Sequence, residues 1–455
     1  MKPSKRISLV LLAGAFSCCV VSGARAQKFM LHTVADLNTP IPEGSGNFTH
    51  VYGHVISGRY VGFMGLGGSG QQGVYFFDET GIHRVADLNT AIPDGTGTFT
   101  GLALSAVLSI DGRNVVYKGD GTGQQGMYLF DGVNARRIAD LTTPIPGGEG
   151  NFTGFGFPKI SGANVAFYAE GASQAGIYLH NGTSLLRVAD YNTPIPNGSG
   201  AFEFFGSSLV SASHVFFGAS GPLGQSGIYA FDGSTLEKRV DLNTAIPGGA
   251  GNFSSITAFW ISGASVAFLG SGPGVGSGIY LSDGATLSKV VDTNTPIPDG
   301  TGNFSNFEPS FRISGGKVTF KGLGSGGQQG VYLFDGSVLR KVADLTTDIP
   351  PVVTGVSNRF TSFHFPIINT GSVVFQAIGA VIEGIYHYRG STLSSVADTA
   401  TPIPGGSGNF TGFAGYDNSG CNVVFRGQGS SAQEGIYLGT PSNPSLPAVL
   451  LITVE

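Results

Sequence analysis

Apolar and polar positions along this chain follow no helical rhythm. Short runs of β-branched and aromatic residues recur throughout, each bounded by Gly, Asn, Asp or Pro, which is the pattern of strands and turns. The stretch from 151 to 190 shows one full cycle. A first strand (A) runs from Asn151 to about Ile160, and Ser161-Gly162-Ala163-Asn164 forms a turn. Strand B is Val165 to Tyr168, and a Gly/Ser/Gln loop leads into strand C, Gly176 to His180. Asn181-Gly182 tolerates positive φ at both residues and predicts a tight hairpin, after which strand D runs from Leu185 to Asp190. Strands B and C are continuously apolar rather than alternating, so both of their faces are predicted to be covered.

The cycle repeats. A phrase reading V-A-D-L-N-T-P-I-P-E-G-S-G-N-F-T begins at Val34 and returns seven times with small changes. Its aspartates are Asp36, Asp87, Asp140, Asp190, Asp241, Asp292, Asp344 and Asp398, so the period is 50 to 54 residues. A second marker, Gly-(Val/Ile/Met)-Tyr, places Tyr75, Tyr128, Tyr178, Tyr229, Tyr280, Tyr332, Tyr386 and Tyr437 in phase with them. Four antiparallel strands in about 50 residues is the size of one propeller blade. The expected fold is therefore all-β, an eight-bladed β-propeller of four-stranded antiparallel blades. The segment Phe29–Asp36 reads as a strand D with no A, B or C before it, and the last unit lacks a D. The N-terminal strand is thus predicted to close the last blade. An open β-solenoid is the alternative architecture; it would stack the repeats without joining the ends.

Composition sharpens the picture. Only 12% of residues are charged, 41% are apolar and 74 are glycine, with no Gly-X-Y period. Lys2, Lys5 and Arg6 precede an apolar stretch that ends in Ala24-Arg25-Ala26, the pattern of a secretory leader cleaved before Gln27. The expected organisation is a signal peptide over 1–26, a propeller over 27–438 and a C-terminal tail over 439–455. The apolar Ala448–Val454 stretch in that tail is a further candidate strand at the seam. Cleavage removes four cations and no acid, taking the formal charge from −5 to −9. It also removes Cys18 and Cys19, leaving Cys421 as the only thiol and the mature chain without an internal disulfide. A mildly acidic chain with no basic stretch argues against nucleic acid, and no integral membrane span is expected in the mature chain. The expected location is periplasmic or secreted, and the expected state monomeric.

In a meander of this kind the D–A and B–C connections share one face, and those loops are the long ones. Loops on a rigid scaffold are the first place to seek function. Gln71, Gln72, Gln124, Gln125, Gln328 and Gln329 lie there as candidate ligand-binding residues; their amides suit either sugar hydroxyls or unsatisfied backbone groups. The repeated Asp-x-Asn also has two readings. Asp36 with Asn38, Asp87 with Asn89 and Asp190 with Asn192 are weak candidates for Ca²⁺, whereas the same aspartates would close Asx-type turns. No other cofactor is expected.

Departures from the repeat carry separate weight, because building blades does not require them. His50, Tyr52 and His54 alternate along the first strand A, so simple alternation puts them on one face. Glu203, Glu308 and His364 depart similarly in other units. If strand A lines a central channel, these six are the candidates for acid–base chemistry on an acidic sugar; otherwise they are polar residues in a wet channel. The seventh D–A loop, Asp348-Ile349-Pro350-Pro351-Val352-Val353-Thr354, is more apolar than its counterparts and is a candidate contact or lid.

Taken together, the V-A-D-x-N-T-P-I-P phrase, the I-S-G-x-x-V-A-F phrase and the G-Q-Q-G-I-Y phrase resemble the uncharacterised tandem-repeat exported proteins of bacteria, some of which end in a PEP-CTERM sorting signal. Pro441–Glu455 shows no Pro-Glu-Pro, no full membrane span and no terminal basic cluster, so release into periplasm or medium is expected rather than the anchor that the resemblance implies. The resemblance implies a propeller and brings no activity. The expectation drawn from sequence is an exported, non-catalytic binder of glycan or extracellular protein through the D–A/B–C face. A structural matrix component and a polysaccharide-active enzyme such as a lyase are the alternatives.

Overall fold

The computed structural model describes residues 26–102, 108–351 and 358–442. Eight antiparallel sheets follow one another along the chain, and each is one blade. In blade 1 the strands are A (Phe48–Ser57), B (Tyr60–Gly67), C (Gln72–Asp78) and D (Gly81–Asp87). Blades 2 to 7 repeat this order. Blade 8 takes strands A to C from Phe410–Ser419, Asn422–Gly429 and Glu434–Pro441, and its outer strand is the N-terminal Phe29–Asp36. That closing strand pairs from Phe29 opposite Pro441 to Asp36 opposite Gly435. It carries a register shift between Thr33 and Ala35, at the place where strand D of blade 2 shifts between Arg137 and Ala139. The eight-bladed ring expected from sequence is the observed fold.

Each strand A contacts strand A of the next blade all the way round, blade 8 to blade 1 included, so these strands form the wall of the central channel. The A–B turns lock that wall. Gly58 N–H donates to Ser419 Oγ (2.7 Å), Gly112 N–H to Ser57 Oγ (2.8 Å) and Ala212 N–H to Ser161 Oγ (3.0 Å). The same bond joins Gly263 to Ser211, Gly315 to Ser262 and Thr370 to Ser314. Asp111 and Asn369 stand in for serine, accepting from Gly162 and Gly420. Eight bonds thus run in one sense around the ring, each satisfying a turn N–H that the blade's own ladder leaves over.

Between blades the core is built from a repeated apolar trio. Ile41 from the D–A loop, Phe48 from strand A and Tyr75 from strand C are buried together, and each blade supplies counterparts. Phe48 meets Tyr75 edge-on with ring centroids 4.9 Å apart, and the other seven pairs lie between 4.8 and 5.1 Å. Such pairs add about 0.5–1.5 kcal/mol beyond the area they bury. Glycine makes the sockets. A Cβ on Gly65 would stand 2.4 Å from Phe48, and one on Gly67 would stand 2.3 Å from Ile41. Much of the glycine content of strand B is therefore a packing requirement, and the repeated tyrosines are core.

Two sequence expectations change here. Strand A of blade 3 is not continuous: it comprises Phe152–Phe155 and Lys159–Ser161, because Pro158 offers no N–H to the ladder; Pro366 divides blade 7 likewise. Cys421, expected as the free thiol of the mature chain, is disulfide-bonded. Residues 1–25 of the leader expected over 1–26, the tail residues 443–455 and Val352–Thr354 of the seventh loop lie outside the described residues. Among the described residues no helix is long and apolar enough to cross a membrane.

Candidate functional site: the loop face and the central channel

Each long D–A loop is closed at its base by the repeated aspartate. Asp190 Oδ1 accepts from Asn192 N (3.1 Å) and Thr193 Oγ1 (2.8 Å), while Asp190 N–H donates to Thr193 Oγ1 (2.9 Å). Its other oxygen accepts from Arg187 Nη1 at 3.0 Å. The Asp–Thr exchange recurs in every blade, including Asp36 with Thr39 and Asp87 with Thr90. The outer oxygen takes Arg84, Arg137, Lys238, Lys289 or Lys341 in blades 1, 2, 4, 5 and 6. At Asp140, burial disfavours the charge, but bonds from Thr142, Thr143 and Arg137 outweigh it and hold the carboxyl below its usual range. This geometry is that of Asx-type turn closure. Asn38, Asn89 and Asn192 contribute their backbone N–H to it. Among the described residues no group of three or more His, Cys, Asp or Glu is placed to hold a metal ion.

The loop itself is then pinned by glutamine. Gln71 Nε2 donates to Ser45 O (2.8 Å) while Ser45 N–H donates to Gln71 Oε1 (3.0 Å), a two-way clamp between the B–C and D–A loops. Gln124 and Gln328 make the same clamp on Thr96 and Thr301. So do Gln225 on Ser199 and Gln433 on Ser407, and Gln174 donates to Glu149 O. The second glutamine of two of the pairs works between blades. Gln72 donates to Leu102 O (2.6 Å), and Gln125 accepts from Phe155 N (3.0 Å). Gln329 is half-buried in its strand. These amides serve backbone groups, and the result is a ring of stiff, exposed loop tips. Sequence reasoning missed Gln174, Gln225 and Gln433, although each stands four residues from its marker tyrosine.

Inside the channel the six acid–base candidates do not assemble. No hydrogen bond or ion pair joins any two of them among the described residues. The ladder of blade 1 shifts register between Phe48 and His50 and again between Tyr52 and Val55, with Gly53 at φ +62°. Those bulges defeat simple alternation. His50 is exposed near the loop face, and Tyr52 packs against the apolar cluster between blades 1 and 2. His54 lies against Gly415 of blade 8. Burial and the nearby Arg426 push its imidazole down to about 4, with a hydrogen bond to the Gly415 backbone opposing them, so it is neutral near pH 7. Glu308 is paired with Lys321 at 2.9 Å, and Glu203 and His364 are exposed.

The chemistry the sequence reading overlooked lies one level deeper. The residue just before the Ile-Ser-Gly turn in each strand A is Val55, Ser109, Lys159, Leu209, Trp260, Arg312, Ile367 or Asp417. Three of the eight are charged, in blades 3, 6 and 8, and they act on one another electrostatically. Arg312 lies over the Trp260 ring, 3.3 Å from its centroid, and donates Nη1 to Phe311 O at 2.9 Å. Burial lowers the Lys159 ammonium below its usual range, with Arg312 adding to the effect and Asp417 opposing it. Burial likewise pushes the Asp417 carboxyl up to about 6, against bonds from Ile56 N–H (3.2 Å) and Asn418 N–H (2.9 Å) and the pull of both cations. No ion pair within 4.0 Å joins either cation to Asp417 among the described residues. Nearer the loop face, Phe157, Phe204 and Phe365 of strand A segments and their connections are 57%, 61% and 52% exposed.

Fold and site together define an eight-bladed propeller with a charged, aromatic-lined central channel. The chain belongs to the DUF7453 family, described as a family of unknown function, whose model matches residues 165–382 and 224–436. No curated protein matches it. Among solved structures it is similar to the β-propeller domain of the Trilobed protease from Pyrococcus furiosus, at 11% identity over 78% of this chain and 100% of that one, with a TM-score of 0.41. It is also similar to Saccharomyces cerevisiae Sqt1, at 11% identity over 91% and 98% of the two chains, TM-score 0.38. A Pyrococcus horikoshii acylaminoacyl peptidase matches at 9% identity over 83% of this chain, TM-score 0.40, and the match spans 57% of the peptidase. Likenesses this distant carry no functional argument.

Proposed function

We propose that this protein is an exported, non-catalytic binding propeller that takes a glycan on its D–A/B–C loop face and in the channel opening there. The observation that carries this reading is the exposure of Phe157, Phe204 and Phe365 in a strand A wall whose other large apolar side chains are mostly covered. Bare aromatic rings at a concave surface offer flat apolar faces, which suit the C–H faces of sugars. Loop tips already fixed by eight Asp–Thr closures and six glutamine clamps lose little entropy on binding, which favours affinity. The leader-like N-terminus supports export to the periplasm or medium. The scatter of His50, Tyr52, His54, Glu203, Glu308 and His364 supports binding over catalysis, because an acid–base pair must reach one substrate atom.

A glycan array probed with the mature protein, with and without EDTA, tests this. Binding to a restricted set of glycans, unchanged by EDTA and weakened in Phe204→Ala and Phe365→Ala, is the expected result. Silence across the array, with capture of an extracellular protein instead, would move the function to protein recognition.

A further inference from the structure

The channel level formed by Lys159, Trp260, Arg312 and Asp417 is not explained by building blades. The equivalent position is apolar or serine in blades 1, 2, 4 and 7, so the ring has no structural need for charge there. Half-buried as they are, an ammonium and a guanidinium each lose hydration that other partners must replace. Asp417 does so only in part: its two oxygens are engaged by Ile56 and Asn418 N–H, and it makes no close ion pair with either cation. Arg312 has five N–H donors and among the described residues uses one, on Phe311 O, while Trp260 holds the guanidinium plane in place. Lys159 has no hydrogen-bond acceptor among the described residues, and on strand A of blade 3 it occupies the register position that Arg312 holds in blade 6. Two cations and one carboxylate leave an excess positive charge at this level of an acidic protein.

We propose that Lys159 and Arg312 form a carboxylate-binding site, and that the ligand is the uronic-acid end of an acidic glycan entering the channel from the loop face. This deepens the glycan reading and rests on it. The planar edge of Arg312 matches a carboxylate, and Lys159 supplies the second positive charge. Phe157, two residues before Lys159, offers an apolar face for the sugar ring that bears the acid. Asp417 is the positioning carboxylate: it acts on both cations and is itself anchored to the blade 1 and blade 8 backbone.

Trp260 is the only tryptophan in the chain, so its fluorescence reports on the Arg312 contact directly. The test titrates the mature protein with trigalacturonate, galacturonate and neutral maltotriose, reading Trp260 emission and heat together. The expected result is a saturable emission change with both uronates and none with maltotriose, weakening as salt is raised. Lys159→Gln should lower uronate affinity about tenfold or more, the loss expected for one charged hydrogen bond, while Lys159→Arg should largely preserve it. Unaltered thermal melting of the Gln variant excludes misfolding as the cause. Uronate binding that Lys159→Gln and Arg312→Gln leave unchanged would overturn the channel site and leave glycan binding standing. Neutral glycans binding while uronates do not would do the same. Heat from none of the sugars, combined with a silent glycan array, would overturn both readings.

Discussion

Replacing Asp190 with alanine separates turn closure from metal binding. Asp190 is fully buried and accepts three hydrogen bonds, two from neutral donors and one from Arg187. At about 1 kcal/mol for each neutral bond and about 1.5–3 for the charged one, the loss has an upper range of about 5 kcal/mol. Arg187 is partly exposed and keeps a bond to Gly147 O, so water and that carbonyl recover some of the loss. A cost of about 3 kcal/mol is the working figure. Unfolding entropy of about 2.1 cal/mol/K per residue, over a ring of about 415 residues, is roughly 0.9 kcal/mol/K, so Tm should fall by about 3 °C. The assay is differential scanning calorimetry of wild type and Asp190→Ala, each with calcium and with EDTA. Turn closure predicts that the difference between the proteins is the same in both buffers. One calcium held at a hundredfold excess over its Kd would add about 2.7 kcal/mol to the wild type alone. A wild-type Tm that drops by about 3 °C in EDTA, with Asp190→Ala indifferent to it, would refute the reasoning.

Three further outcomes follow from the packing and the channel. Gly65→Ala places a methyl against Phe48 and Tyr75 and should cost about 1–3 kcal/mol, whereas Gly68→Ala meets open space and should leave the calorimetric Tm unchanged. Gln225→Ala removes both arms of the blade 4 clamp; limited proteolysis should cut near Ser199 several times faster than in wild type, with Tm down by no more than about 2 °C. The third outcome concerns pH. Asp417 holds its proton up to about pH 6 when folded, so ionising it costs stability as pH rises from about 4 to 6. His54 acts in the opposite sense, losing stability as pH falls from 6.5 towards 4. Asp417→Asn should therefore make stability rise more steeply between pH 4 and 6, read as the shift in urea midpoint; an unchanged slope would count against the buried carboxylate.

How much of this was legible in the sequence differs sharply between fold and site. Asp36 through Asp398 and Tyr75 through Tyr437 are each demanded by every blade, so repetition exposes them to a reader of one chain. The same repetition located Phe29–Asp36 as a strand D without partners. What repetition hides is partnership. Ile-Ser-Gly reads as a local turn, yet its serine serves the next blade, about 50 residues away. Gln71 reads as a free polar side chain, yet Ser45 occupies it fully. The channel was misread for a different reason. Attention to the start of strand A favoured His50 and Tyr52, whereas bulges break alternation there and the charged column sits beside the turn. Lys159, Arg312 and Asp417 share one register position in three blades, a coincidence visible only when the repeats are aligned on the turn.

The closing strand sets an order of events in the making of the molecule. Phe29–Asp36 is synthesised some 400 residues before its partner, Glu434–Pro441. Until the eighth blade exists, the first strand has nowhere to pair and presents a row of unsatisfied backbone groups. Bringing ends some 400 residues apart costs little more than closing a much shorter loop, because that entropy grows only with the logarithm of length. The seven intervening blades also align the ends before they meet. In a crowd of unfinished copies, the same strand fits the open edge of any neighbour's last blade, giving rings that exchange their first strands. A partner that shields residues 29–36 until the eighth blade forms would keep each ring to itself.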